Sequence, residues 1–124
     1  MRTIIGIGIA GALGALARYA VDGAIARRST GAFPWGTFAV NITGSFVVGV
    51  LFTVLTERWL VAPWLRSSLT IGLIGAYTTF STLSLESYRL LEDGAYGVAA
   101  ADLLGSIAAG LAAVYAGVVV GRVI

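Results

Sequence analysis

The sequence predicts an all-α membrane protein with four transmembrane helices, the third broken near the bilayer midplane. Two observations carry that expectation. Residues 29–56, 67–85 and 103–121 are uncharged runs of 28, 19 and 19 residues, each long enough to read as a spanning helix. A shorter run, 3–17, joins them if Arg18 snorkels to the interface. Inside the third run, Gly72, Gly75 and the β-branched pair Thr78-Thr79 lower helix preference at a depth where any backbone that leaves the helix must find other partners. In a 124-residue chain that is 58% hydrophobic and 11% charged, helices at roughly 3–26, 34–57, 67–91 and 96–122 leave room for one transmembrane domain and nothing soluble.

The first helix carries Gly6, Gly8, Gly11 and Gly14. Gly6 to Gly11 fits the spacing GxGxxG, but no strand precedes it and an apolar helix follows, so the dinucleotide reading fails its context test. A small-residue face for close helix packing is the better account. Arg18 is the one base away from a helix end. It either pairs with Asp22 one turn on or supplies a fixed positive charge at the mouth of an anion path. Arg27 to Gly31 form a loop, and Pro34 opens the second helix between the interfacial aromatics Phe33 and Trp35. Along this helix Thr37, Asn41 and Ser45 fall at i, i+4 and i+8, one polar stripe inside a lipid-spanning run. The Asn41 amide offers two donors of the kind a desolvated anion needs.

Arg58 to Arg66, with Trp59, Pro63 and Trp64, reads as an interfacial turn. In the third helix the break is expected at about Gly75, some 13 Å along from Ser67 at helical rise, with a second half-helix resuming at Tyr77. Phe80 and Leu83 share one face of it; Thr79, Thr82 and Glu86 share another. Glu92-Asp-Gly94 turns the chain into the last helix, where Asp102, Ser106 and Gly110 repeat every four residues. Asp102 is expected near the interface.

Composition narrows the function. No Cys and no His are present, which removes disulfides, thiolate chemistry and imidazole metal sites. No nucleophile–base pair or phosphate loop occurs, so an enzyme is not expected. All eight basic residues are arginines; Arg2, Arg58, Arg66 and Arg122 fall on one side of the membrane, Arg27, Arg28 and Arg89 on the other. So small an orientation bias fits a chain that inserts both ways round. The remaining polar groups are amides and hydroxyls converging on the break, with no base near the midplane, where a lysine would hold an anion too tightly to release it. An edge-on phenylalanine ring attracts an anion weakly through its electropositive rim.

Gly-Ala-Leu-Ala-Arg-Tyr at 14–19, Gly-Thr-Phe-Ala-Val-Asn-Ile-Thr-Gly-Ser-Phe at 36–46 and Gly-Ala-Tyr-Thr-Thr-Phe-Ser-Thr at 75–82 resemble the Fluc-type fluoride channels, and the likeness spans essentially the whole chain. The resemblance implies an antiparallel, dual-topology homodimer that exports fluoride passively through two pores across a bacterial or archaeal plasma membrane, conferring fluoride resistance. It implies that Asn41, Phe80, Leu83 and Ser106 line the fluoride pore, together with Thr37 on the same stripe as Asn41. It places Thr82 and Glu86, beside Thr79, in a polar track, and Arg18 at a vestibule. It also implies that carbonyls of Gly75 and Thr78 hold a structural Na⁺ that is not transported. Two positions depart from the family pattern: Leu83 stands where a second phenylalanine is usual, and Asp102 where tyrosine or asparagine is. These departures suit one subunit of a heteromeric fluoride channel. A small dual-topology multidrug exporter is a further alternative, with Glu86 as its embedded acid. No nucleic-acid partner is expected.

Overall fold

A computed structural model describes residues 1–124. It is all-helical: α1 (Arg2–Ala26), α2 (Trp35–Arg58), a broken third span, and α5 (Tyr96–Val123). α1, α2 and α5 are each long and apolar enough to cross a bilayer unaided. The third span comprises α3, residues 63–77, and α4 (Phe80–Glu92). Neither half reaches the spanning length alone, and the three long apolar helices are those of a multi-pass membrane protein.

The interruption lies at Thr78 and Thr79, later than the expected Gly75. Gly75 keeps helical dihedrals, whereas Thr78 has ψ 158° and Thr79 is extended at φ −150°, ψ 115°. The threonine side chain explains the shift. Thr79 Oγ1 accepts the Thr82 N–H at 3.2 Å, so Thr79 is the N-cap of α4, a role that requires non-helical backbone. Glycine propensity lowers the cost of a break nearby but supplies no such partner. The second half-helix consequently starts at Phe80 and not at Tyr77.

The stretch Ser68–Ile74 is wound as a π-helix, as is Val54–Arg58 at the end of α2. Gly14 of α1 meets the Leu73 carbonyl, and Gly72 meets the backbone of Ile7. Gly6 and Gly11 also face α3, against Ser68 and Gly72, while Gly8 faces open space. The glycine face of the first helix is therefore a seat for the π-helical segment, as the small-residue reading expects apart from Gly8.

α2 packs closely along α5. Gly49 abuts the Val114 carbonyl, and Gly117 the Phe46 carbonyl and Val50 N–H, so the two backbones touch with no side chain between them. Gly117→Val should push them apart and destabilise the fold by about 1–3 kcal/mol, the usual range for overpacking. Thermal unfolding in detergent measures this, and an unchanged melting temperature would contradict the packing described.

In the α1–α2 loop and the α4–α5 turn, at the same end of the bundle, Gly31 (φ 92°) and Gly94 (φ 74°) adopt left-handed backbone. The one ion pair is Arg122 to Glu57 at 3.4 Å, on the surface. Arg18 and Asp22 are not paired.

Candidate functional site

The break is held by one side chain. Asn41 Nδ2 donates to the Thr79 carbonyl at 3.0 Å, and its Oδ1 accepts the Thr79 N–H at 2.7 Å. The amide thus replaces both backbone bonds that the extended residue gives up, which is the compensation required of irregular backbone at membrane depth. One Nδ2 hydrogen remains for another acceptor.

Asn41 and the break open onto a groove of about 500 Å³. Gly75, Thr78, Phe80, Leu83 and Ser106 line it too, together with Ser45. None of its lining residues carries a charge. Phe80 is 76% exposed within the single chain, whereas Leu83, on the same face, is 5% exposed. The Ser106 hydroxyl is buried and has no partner. The N-terminal turn of α4 adds further neutral donors, because the Phe80 and Ser81 N–H groups bond nothing in the chain and stand at the positive end of that helix.

A smaller pocket of about 180 Å³ brings Arg18, Asp22, Thr37, Thr79 and Thr82 together. Thr79 lines both spaces. Its hydroxyl donates to Thr82 Oγ1 at 3.0 Å, and Thr37 Oγ1 donates to Glu86 Oε1 at 3.0 Å. Thr37 shares a helical stripe with Asn41, yet it faces this second pocket and the Glu86 carboxylate, and does not line the groove. Thr79, Thr82, Thr37 and Glu86 form a run of polar groups beside the break. One Glu86 oxygen stays buried without a donor.

The carbonyls of Gly75, Ala76, Tyr77 and Thr78 accept no hydrogen bond from the chain. They are the open end of α3, oxygen ligands without a donor. No group of His, Cys, Asp and Glu side chains is arranged to hold a metal ion.

Three features escaped sequence reasoning. Thr43 and Tyr77 pair through their hydroxyls at 2.9 Å, bracing the last turn of α3 against α2. The double bond from Asn41 to Thr79 was not anticipated either. Asp102, expected near the interface, is fully buried and accepts the Ser87 hydroxyl at 2.6 Å; it lines neither space. Ser87 was legible only as the continuation, four residues on, of the face holding Phe80 and Leu83.

Residues 5–118 match the family described as CrcB-like protein, Camphor Resistance (CrcB). Relatives named fluoride-specific ion channel FluC include those of three species. That of Geotalea daltonii is 46% identical over 124 residues, the full length of both chains. That of Geotalea uraniireducens is 44% identical over 122 residues, 98% of each. That of Geobacter sulfurreducens is 42% identical, also over 122 residues and 98% of each.

Proposed function

The chain belongs to the CrcB-like family, and from that membership we propose that the groove at the helix break is where it conducts fluoride. It is a fluoride-specific channel of the bacterial or archaeal plasma membrane, not an enzyme. One observation carries the assignment of the site: every polar group on the groove is neutral. A small hard anion leaving water needs donors to replace its hydration, and it needs them weak enough to leave again. The free Asn41 hydrogen, the Ser106 hydroxyl and the edge of Phe80 meet both conditions. Thr79, Thr82, Thr37 and Glu86 form a polar track beside the path, and Arg18 draws anions to the smaller pocket without entering the groove.

The conducting unit is an antiparallel dimer of two copies inserted in opposite orientations. The near-equal division of arginines between the two ends supports this, as does the exposure of Phe80 on a groove one chain leaves open. A structural Na⁺ fits the open end of α3, where the carbonyls of Gly75 and Thr78 would hold it. Oxygen-only donors of this kind suit a hard monovalent cation, and the ion would satisfy backbone that lipid cannot.

Asp102 lies off the groove, which removes one of the two departures that favoured a heteromeric channel. Glu86 lines neither space and is bonded to Thr37, a poor fit to the open binding chamber of a drug exporter. Leu83 remains as a groove position without a ring edge. Leu83→Phe should leave fluoride flux unchanged or raise it; slower flux from a correctly assembled protein would mean that the leucine is itself suited to the path. Expression in a bacterium stripped of its fluoride exporters tests the function. Growth on millimolar fluoride is expected, and failure to grow with the protein present in the membrane would reject it.

A further inference from the structure

The group that the conduction scheme leaves unused is Asp102. It has 0% exposure, Ser87 has 2%, and their bond of 2.6 Å has the usual length of a hydroxyl donating to a carboxylate. The other Asp102 oxygen and the Ser106 hydroxyl one turn along are both buried without partners. On α4, Phe80, Leu83, Ser87 and Leu90 repeat at spacings of three and four, one helical stripe. On α5, Ala99, Asp102 and Ser106 do the same. The buried members of the two stripes face one another, and the Ser87–Asp102 bond lies one turn behind the groove positions Leu83 and Ser106. It is the one side-chain hydrogen bond between α4 and α5. The break leaves α4 joined to α3 only through two extended residues. The turn at 93–95 ties the far end of α4 to α5, and Asn41 and Thr37 tie α4 to α2. Along its length against α5 the Ser87–Asp102 bond is the one directional side-chain contact, where apolar packing resists sliding poorly because it is non-directional.

We propose that Asp102 is a positioning residue: through Ser87 it latches the middle of α4 against α5 and so holds Phe80 and Leu83 beside Ser106 on the conducting groove. The role asks for an acceptor oxygen, not for a negative charge, which an anion path has no use for. Asparagine at 102 keeps that acceptor; alanine does not. A Ser87→Ala chain loses the same bond from the other side.

The test compares fluoride efflux from proteoliposomes for the four proteins, with size-exclusion chromatography to confirm assembly. Asp102→Asn should conduct at least as well as the parent. Asp102→Ala and Ser87→Ala should each lose about tenfold, in line with one buried hydrogen bond to a carboxyl group. The double variant Ser87→Ala/Asp102→Ala should lose no more than either, since both remove one interaction. Full flux in Asp102→Ala would overturn the latch, and so would a loss in Asp102→Asn as deep as in Asp102→Ala. Should Asp102→Ala fail to assemble, the smaller Ser87→Ala change decides alone. The proposal rests on the fluoride-channel reading, and the parent protein separates the two: no flux from the parent defeats that reading, while parent flux with unaffected variants defeats only the latch.

Discussion

Asn41→Ala is expected to abolish fluoride flux, by on the order of a hundredfold or more, and to weaken the fold as well. The substitution removes two hydrogen bonds to one extended residue, leaving the Thr79 N–H and carbonyl unpaired. Each unpaired buried group costs about 1–3 kcal/mol, against a total stability of roughly 5–15 kcal/mol for an ordinary domain. It also deletes the remaining amide hydrogen that faces the groove. Asn41→Asp separates the two roles. Aspartate still accepts the Thr79 N–H but donates nothing to the Thr79 carbonyl and sets a negative charge on the anion path. It should block flux while keeping one of the two bonds to Thr79. Efflux and melting temperature measured on the same preparations check this pair, and an alanine variant that conducts normally would show that the break holds itself.

Phe80→Ile should lower flux by roughly fivefold while leaving the protein folded, the ring edge being worth about 1 kcal/mol in favourable contacts. The two effects divide because Phe80 is largely exposed within the chain and contributes little to its core. Isoleucine fills similar space but presents no electropositive rim. Comparable flux from the two side chains would remove the ring from the conduction scheme.

The long apolar helices and the interruption of the third span were legible because uncharged run lengths and helix propensity are local properties. Helix ends agree with the expected ones to within a few residues, except at the start of the third span. There Pro63 opens the helix ahead of Ser67 because its missing N–H is no loss in a first turn. The break itself was displaced from Gly75 to Thr78-Thr79. Propensity favours glycine as a breaker, whereas the decisive influences are a cap three residues ahead of its donor and an amide 38 residues away. The stripe Thr37–Asn41–Ser45 was visible, but not that Asn41 and Thr37 serve different spaces, since a helical stripe widens into two neighbouring contacts once other helices pack on it. The π-helical winding of Ser68–Ile74 had no sequence signal. It coincides with the hydroxyls of Ser68 and Thr70 bonding back to the Trp64 and Arg66 carbonyls, a local competition with the helix ladder that is not read from composition.

The central claim is that a groove of neutral donors at an interrupted helix passes fluoride and refuses a larger halide. Proteoliposomes loaded with equal potassium fluoride and potassium chloride, opened electrically with a K⁺ ionophore, test it with one electrode for each anion. Fluoride should leave within seconds to minutes while chloride stays inside. Release of both anions at similar rates, or of neither, would contradict the account.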